Sequence, residues 1–224
     1  MRFLVTAGPT REFLDPVRFL SNPSTGRMGF AVAAAARAAG HDVTLVAGPV
    51  ALKTPKGVRR IDVVSARDML AAVSREEFDC LVATAAVADW RPVHISRAKL
   101  KKSEMDGVLR LVRNPDILKT VAARLRRAKA RKVLIGFAAE TGDPTAEAAR
   151  KCREKGLDLV VANDVTAEGS GFGVATNRVA FVRPDGEVER LPLMSKRAIA
   201  RRIVRFAEIW YNAQPTRDKQ GRCN

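Results

Sequence analysis

The chain joins an apolar strand to a helix of small residues through AGPTREFLDPVRFLSNPSTGRMG, residues 7–29. The strand is predicted at 2–6 and the helix at about 27–39. The first N–H groups of a helix have no partner inside the helix, so they can bind an anion. Gly26 and Gly29 carry no side chain and would let a ligand come close to this helix end. The stretch therefore predicts an anion-binding loop within an α/β fold.

This loop does not have the spacing of a dinucleotide-binding motif. In that motif, G-x-G-x-x-G lies directly between the strand and the helix, whereas here the first turn reads GPT at 8–10 and the helix begins much later. Ser24 or Thr25 is predicted to cap the helix. The only tyrosine, Tyr211, lies near the tail, so a Tyr-x-x-x-Lys pair is also missing. An NAD(P)-dependent reductase is thus disfavoured but stays an alternative.

Short apolar runs alternate with helical stretches along the rest of the chain. A capping box from Ser65 to Asp68 opens the second helix, and Pro115 is predicted at the first helical position of the third. The alternation predicts an α/β, Rossmann-like, doubly wound and mainly parallel sheet, with ligands at the carboxyl ends of the strands. The strands are predicted at 2–6, 42–46, 60–64, 79–84, 132–137 and 158–162, and the helices at 27–39, 66–75, 115–127, 144–155 and 194–211.

Two stretches depart from this alternation. Residues 98–112 read as two strands joined by an Asp-Gly turn, which predicts a β-hairpin that projects from the sheet. Its first strand would carry Lys99 and Lys101 on one face, because side chains alternate along a strand. Residues 178–190, which contain a second Asp-Gly pair, predict another hairpin.

Composition indicates one soluble domain over 1–211, followed by a basic tail over 212–224 that we expect to be disordered. No apolar run approaches the roughly 18 residues needed to cross a bilayer. The first strand follows Met1 directly, without the pattern of a signal peptide, so a cytoplasmic location without membrane contact is expected. The three cysteines form no C-x-x-C pair, which argues against a disulfide framework and against a zinc site.

The net charge of +16 comes from 40 Lys and Arg against 24 Asp and Glu. Such a field attracts polyanions, which include nucleic acids and small phosphorylated molecules. The basic residues concentrate at 97–102, 124–132, 196–205 and the tail, without interleaved aromatic residues or a recognisable DNA-binding motif. A basic nucleic-acid-binding protein stays an alternative, but we expect no specific nucleic-acid partner, and solvated helix faces account for most of the charges.

Six short segments occur in the order typical of one enzyme family. Through them, and over roughly residues 3–190, the chain resembles the phosphopantothenate-cysteine ligases, also called phosphopantothenoylcysteine synthetases, of coenzyme A biosynthesis. The segments are the 7–29 stretch, AAVAD at 85–89, KLKK at 99–102, NPDI at 114–117, GFAAET at 136–141, and KGLD at 155–158 continuing to Asn163-Asp164.

The resemblance implies a ligase that joins 4'-phosphopantothenate to L-cysteine. In this family the carboxylate attacks CTP to give an acyl-cytidylate and pyrophosphate, and the cysteine amine then displaces CMP. CTP is implied as the co-substrate, with ATP as the alternative, and Mg²⁺ as a cofactor whose ligands the sequence does not identify. A homodimer is also implied. Many relatives carry a flavin-dependent decarboxylase that nothing in this chain matches. We therefore expect no flavin, and it stays open whether the decarboxylase is a separate partner or the chain is cut from a fusion.

Three residues match family positions linked to catalysis. Lys99 matches the lysine associated with forming the acyl nucleotide, although an edge-strand lysine can also serve only against aggregation. Asn22 matches the asparagine that turns the acyl nucleotide over, and its amide could donate to a developing oxyanion; Asn-Pro is also a plain turn signal. Arg18 could bind an acyl or phosphate oxygen, or it could be a surface arginine.

The resemblance also implies nucleotide-binding and substrate-binding residues. Small side chains would let the ligand rest against backbone, Phe137 could pack on the base, and two lysines would share a helix face at the phosphate end. Ordinary packing, helix capping and surface salt bridges are the alternatives. The implied nucleotide-binding residues are Ala83, Thr84, Ala85, Asp89, Lys99, Pro115, Asp116, Ile117, Leu118, Phe137, Lys151 and Lys155, and the implied substrate-binding residues are Asn22, Gly26 and Ala86.

The sixth predicted strand is bracketed by Asp158 and Asn163, and a glycine-rich segment at 165–176 follows it. This segment is predicted to be a mobile flap that keeps water from the acyl nucleotide, since hydrolysis would waste the activated acid. A connection without a role is the alternative.

Overall fold

The structure is a computed structural model that describes residues 1–104 and 107–213. Its strands are β1 (Arg2–Ala7), β2 (Arg11–Phe13), β3 (Phe19–Ser21), β4 (Asp42–Ala47), β5 (Arg59–Asp62), β6 (Cys80–Ala83), β7 (Trp90–Pro92), β8 (Leu111–Arg113), β9 (Val133–Glu140), β10 (Leu159–Asp164), β11 (Thr176–Asn177), β12 (Val179–Val182), β13 (Val188–Arg190) and β14 (Met194–Ser195). Its α-helices are α1 (Arg27–Ala38), α2 (Ala66–Arg75), α3 (Ile117–Arg127), α4 (Thr145–Lys155) and α5 (Lys196–Ala213).

Within the described residues, the main sheet has eight strands in the order β13-β12-β10-β9-β6-β1-β4-β5. β1 pairs in parallel with both of its neighbours, with Phe3 opposite Val43 of β4 and Cys80 of β6. β9 and β10 extend the parallel part, whereas β12 and β13 form an antiparallel hairpin at one edge. This confirms the predicted α/β, mainly parallel, Rossmann-like sheet and the predicted hairpin at 178–190.

The two faces of the sheet are covered by different helices. Alternate residues of β1 point to opposite faces, so Phe3 and Val5 pack with α1 and α5, and Leu4 packs with α2, α3 and α4. All three are at most 1% exposed. Full burial of such side chains stabilises the fold by roughly 1.5–3 kcal/mol each. The ends of the central strands are thereby fixed in space, and the loops that follow them inherit that position.

α1 begins at Arg27 as predicted, but its N-cap differs from the prediction. Gly26 occupies the N-cap position with φ of 76°, in the left-handed region that favours glycine, and it has no side chain to cap the helix. The predicted cap by Ser24 or Thr25 is therefore wrong. The Thr25 hydroxyl donates instead to the carbonyl oxygen of Phe172, 2.8 Å away. The loop before α1 is thus tied to a distant segment of the chain.

The starts of α2 and α3 are only partly as predicted. The capping box of Ser65 and Asp68 is present at α2. At α3 the N-cap is Asp116, whose carboxylate accepts from the backbone N–H of Lys119. Pro115 therefore precedes the cap and does not occupy the first helical position.

The predicted hairpin over 98–112 is wrong in its first strand. The projecting antiparallel pair consists of β7 and β8, and among the described residues 98–101 lie outside any strand. The backbone groups of Leu100 are engaged elsewhere: its N–H donates to the Asp15 carboxylate at 3.2 Å, and its carbonyl oxygen accepts from the Arg18 guanidinium at 2.9 Å. These bonds take the place of strand pairing.

Three further expectations concern the lysines at 99 and 101, the Asp-Gly turn and the C-terminal tail. Lys99 and Lys101 do not share a strand face, because this segment is not a strand. The predicted Asp-Gly turn includes Asp106, which lies outside the described residues. α5 continues to Ala213, so the first two residues of the predicted tail are helical, and 214–224 lie outside the described part of the chain.

Candidate active site

A cavity of about 600 Å³ lies at the carboxyl ends of β1, β6, β9 and β10. This is the edge at which ligands collect in open parallel sheets. It contains the predicted site residues other than Lys99 and Arg18. Those in the lining are Asn22, Gly26, Ala83, Thr84, Ala85, Ala86, Asp89, Pro115, Asp116, Ile117, Leu118, Phe137, Lys151 and Lys155.

The two glycines at the start of α1 have different roles. Gly26 lines the cavity and turns the chain into the helix. Gly29 also lines the cavity, but a Cβ atom there would lie 2.5 Å from both the Ala7 Cβ and the Thr84 Oγ1. Real side chains do not approach so closely. Position 29 must therefore be glycine so that α1 can pack against the strand ends. The sequence alone did not indicate this role.

The small-residue wall of the cavity is held by a ladder that continues β1 and β6 beyond the sheet. The Ala85 N–H donates to the Thr6 hydroxyl at 3.3 Å, and the Ala88 N–H donates to the Thr10 hydroxyl at 3.0 Å. The Ala86 N–H donates to the Gly8 carbonyl at 2.9 Å. Threonine side chains thus supply acceptors where strand pairing ends. These hydrogen bonds hold the segment 85–88 in place, and its backbone and small apolar side chains form this wall of the cavity.

Asn22 is held against this wall. Its amide nitrogen donates to the carbonyl oxygens of Ala86, at 3.1 Å, and Val87, at 3.3 Å. The amide group is therefore engaged with the backbone of the wall in this conformation. Donation to a substrate oxyanion requires the side chain to leave these carbonyls.

The opposite side of the cavity carries two lysines that are paired with carboxylates. The Lys151 ammonium lies 2.6 Å from Glu140 and 3.7 Å from Glu147, and the Lys155 ammonium lies 2.7 Å from Asp116. Burial alone would raise the pKa of Asp116, but hydrogen bonds from the Lys119 N–H and from Lys155 outweigh it and leave this pKa below its usual value. The two lysines share one face of α4, as predicted, and each already has a carboxylate partner.

Lys99 and Arg18 lie outside the cavity of this chain. Lys99 is exposed, and Arg18 contacts Asp15, with 2.6 Å between Nη2 and Oδ2. The Asp15 side chain is fully buried, and the hydrogen bonds from Arg18, opposed by burial, hold its pKa well below the usual range. Through Leu100, this ion pair also anchors the segment that carries Lys99. The structure thus groups these two predicted catalytic residues with each other, apart from Asn22.

Sequence reasoning missed Lys196, which lines the cavity and is buried. Its ammonium donates to the carbonyl oxygens of Gly171 and Phe172. Burial, and then the charge of Arg27, lower its pKa to about 8. One signal was present in the sequence: a lysine in the first turn of a predicted helix opposes the positive end of the helix dipole.

The two residues that bracket the sixth predicted strand lie at opposite ends of β10, Asp158 just before it and Asn163 near its carboxyl end. Asn163 lines the cavity. Asp158 lies at the opposite end of the strand, where it accepts from the Leu134 N–H at 2.7 Å and from the Trp210 indole N–H at 2.8 Å. Burial is the main cause that raises the pKa of Asp158. Its role is therefore in packing α5 against the sheet.

The described residues contain neither a cluster of protein metal ligands nor, at Cys80, an accessible thiol. Among them, no group of three or more His, Cys, Asp and Glu side chains could hold a metal ion. Cys80 is buried, and burial raises the pKa of its thiol well above the usual value. In the same part of the chain, no helix is both long and apolar enough to cross a bilayer.

Comparison with known proteins identifies the family. The family model described as the DNA/pantothenate metabolism flavoprotein C-terminal domain matches residues 1–209. The coenzyme A biosynthesis bifunctional protein CoaBC of Vibrio vulnificus is 46% identical over 206 residues, which cover 90% of this chain and 50% of that protein. The chain thus spans about half the length of the curated relatives it matches.

Solved structures agree with this assignment. The crystal structure of the C-terminal domain of CoaBC has a TM-score of 0.78 and 43% identity, and the match covers 94% of this chain and 95% of that one. A Cab2 mutant in complex with phosphopantothenate-cysteine has the same fold, with a TM-score of 0.74, 17% identity, and coverage of 94% and 86%. The resemblance noted in the sequence is confirmed, and the chain belongs to the family of DNA/pantothenate metabolism flavoprotein C-terminal domains.

Proposed function

We propose that this chain is a phosphopantothenate-cysteine ligase that works through an acyl-cytidylate. The observation that carries the proposal is that residues from five separate motifs line one cavity at the carboxyl edge of the sheet. The relatives are named for coenzyme A biosynthesis. The Cab2 structure, which shares the fold, is a complex with phosphopantothenate-cysteine.

The cavity has the chemical parts that such a ligase needs. A carboxylate must be activated before an amine can attack it, and catalysis of nucleotidyl transfer consists mainly of positioning and of stabilising negative charge. Lys151 and Lys155 offer cationic groups for the phosphates, and Phe137 offers a ring for the base. On the other side, the N-terminus of α1 and the wall at 85–88 would hold the phosphopantothenate.

Binding of the triphosphate requires a partner exchange. Lys155 would leave Asp116, and Lys151 would leave Glu140, to contact phosphate oxygens. Asn22 would leave the carbonyls of Ala86 and Val87 and donate to the oxyanion that forms when cysteine attacks the acyl carbon. CTP is proposed as the nucleotide, with ATP as the alternative.

Mg²⁺ is proposed to enter with the nucleotide. The pocket carboxylates do not form a complete metal site: Asp116 is paired with Lys155, and Asp89 lies on another loop. They fit a cation that is held mainly by phosphate oxygens and touched by Asp89. When bound, the ion would supply positive charge to the triphosphate.

A homodimer is proposed because an apolar patch covers the two short strand pairs next to Lys99. β2 and β7 contact each other, so the pairs β2–β3 and β7–β8 form one continuous surface. Exposed apolar patches of this kind mark protein interfaces. A second copy would cover it and bring Lys99 and Arg18 to the partner's cavity. The exposed apolar residues of the patch are Val17, Phe19, Trp90, Val93, Ile95, Leu109, Leu111 and Val112.

The reaction is tested by mixing the protein with phosphopantothenate, Mg²⁺ and each nucleoside triphosphate, with and without cysteine. Pyrophosphate release should require phosphopantothenate and should be fastest with CTP. CMP release at the full rate should also require cysteine. Absence of pyrophosphate with every nucleotide would contradict the proposed function.

Two variants test the residue roles. Lys99→Gln should block pyrophosphate release, whereas Asn22→Asp should allow it and leave the acyl-cytidylate trapped on the protein. Lys102→Gln is the matched control, because this exposed lysine belongs to the same basic run and matches no catalytic position. Normal amide formation by the first two variants would refute their roles while leaving the family unaffected.

A further inference from the structure

Lys196 is buried in a way that is costly for the fold. It is only 6% exposed, it opens α5, and it faces the charge of Arg27. Burial of a charge and a cation at a helix N-terminus both cost free energy. Its ammonium donates to two carbonyl oxygens, those of Gly171 at 2.8 Å and Phe172 at 3.1 Å. A residue that packing and helix dipole both disfavour is expected to have a further role.

The two carbonyls belong to the segment 165–176, which we call the cavity loop. Gly171 and Phe172 of this loop line the cavity together with Lys196. The Phe172 carbonyl oxygen also accepts from the Thr25 hydroxyl at 2.8 Å. Residues 171–172 of the cavity loop are therefore hydrogen-bonded both to α5 and to the segment that precedes α1.

Other hydrogen bonds of the cavity loop are internal or lie near its two ends, where the Val165 N–H donates to the Glu140 carbonyl and the Ala175 carbonyl accepts from the Lys196 N–H. The Thr176 hydroxyl donates to the Gly169 carbonyl at 2.7 Å, and the Ser170 N–H donates to the Ala167 carbonyl at 3.0 Å. These two bonds shape the loop from within, and the Ser170 hydroxyl also accepts from the Arg178 N–H at 3.1 Å. The side-chain ties from Lys196 and Thr25 hold its cavity-facing part in place.

We propose that Lys196 is a positioning residue that holds the cavity loop closed, so that water does not reach the activated acyl group. The inference rests on the proposed function, because an acyl-nucleotide anhydride is the species to be protected. Water attack on its acyl carbon would release the free acid and CMP, so that CTP is consumed without forming the amide. Cysteine attack gives the amide and CMP. The amount of CMP formed per amide therefore reports how well the loop excludes water.

The test compares wild-type protein with Lys196→Met, which keeps the length of the side chain and removes the donors. Hydrogen–deuterium exchange of peptides covering the cavity loop should become about tenfold faster, because charge-assisted bonds that hold it are lost. With cysteine present, CMP formed per amide should rise at least about twofold. This ratio does not depend on the fraction of active protein, so general destabilisation does not change it.

Two further variants complete the experiment. Thr25→Val removes the second tie without touching a buried charge, and it should shift both readouts in the same direction. It also keeps the test valid if Lys196→Met folds poorly. Lys56→Met, a change at an exposed lysine, should leave both at the wild-type value.

The outcomes are distinct. Unchanged loop exchange in Lys196→Met and Thr25→Val overturns the inference, whatever the activity of the wild-type protein. Faster exchange with an unchanged ratio of CMP to amide overturns it too, because the loop would then not exclude water. If the wild-type protein releases no pyrophosphate, by contrast, the proposed function is refuted. The exchange experiment then still shows whether Lys196 and Thr25 hold the cavity loop in place.

Discussion

Replacing Gly29 with alanine tests how closely α1 approaches the strand ends. The new Cβ would lie 2.5 Å from both the Ala7 Cβ and the Thr84 Oγ1, and 3.0 Å from the Thr6 carbonyl oxygen. Non-bonded carbon atoms prefer about 3.5–4.0 Å, so α1 has to move by about 1 Å. Overpacking against backbone costs up to about 3 kcal/mol, and the better helix propensity of alanine offsets about 1 kcal/mol. The net loss of about 2 kcal/mol lowers the Tm by roughly 4–8 °C for a domain of this size.

The same movement displaces the helix N-terminus that faces the cavity. A displacement of about 1 Å can reduce kcat/KM by about 100-fold. Thermal unfolding followed by circular dichroism, together with pyrophosphate release, measures both effects. Gly173→Ala is the control for the Tm, because a Cβ there has nothing within 4 Å. A Gly29→Ala protein with the Tm and kcat/KM of the wild type would refute the reasoning.

Three other predictions concern charge and assembly. Arg18 lowers the pKa of Asp15, so the stability that this carboxylate confers is present above the unfolded pKa near about 4 and is lost as the pH falls towards the lower folded pKa. In urea titrations, the difference in unfolding free energy between wild type and Asp15→Asn should therefore shrink below about pH 4, and a constant difference would contradict this sign. Leu111→Glu should give a monomer by light scattering with little ligase activity, whereas an active dimer would exclude this patch as the interface. Lys155→Ala, which removes the partner of Asp116, should raise the KM for the nucleotide about tenfold, and an unchanged KM would place the phosphates elsewhere.

Much of the fold could be predicted because its signals are local. Apolar runs and helical periodicity placed the six parallel strands and the five helices to within a few residues. The capping box of Ser65 and Asp68 needs only four adjacent residues, and it is present. The cap of α1 was missed because the left-handed backbone of Gly26 is a conformation, and the presence of a glycine does not by itself reveal it.

The errors share a dependence on distant partners. The segment around Leu100 is not a strand because Asp15 and Arg18, far away in the sequence, take its backbone groups. Lys196 reaches the cavity only through the packing of α5 beside α1. The predicted site residues other than Lys99 and Arg18 line one cavity, but the motifs did not show that Lys99 lies on a different surface of the same chain.

The carboxylates that pair with the cavity lysines have a consequence for selectivity. Glu140 and Asp116 already neutralise Lys151 and Lys155, so an incoming anion must compete with resident counterions. A triphosphate has several charged oxygens and can bind both ammonium groups at once. A monophosphate makes fewer such contacts, so it displaces the carboxylates less readily. In the proposed reaction, the two carboxylates would pair with their lysines again after pyrophosphate has left, which would favour release of CMP. Under this arrangement, inorganic phosphate in the cell would be a poor competitor.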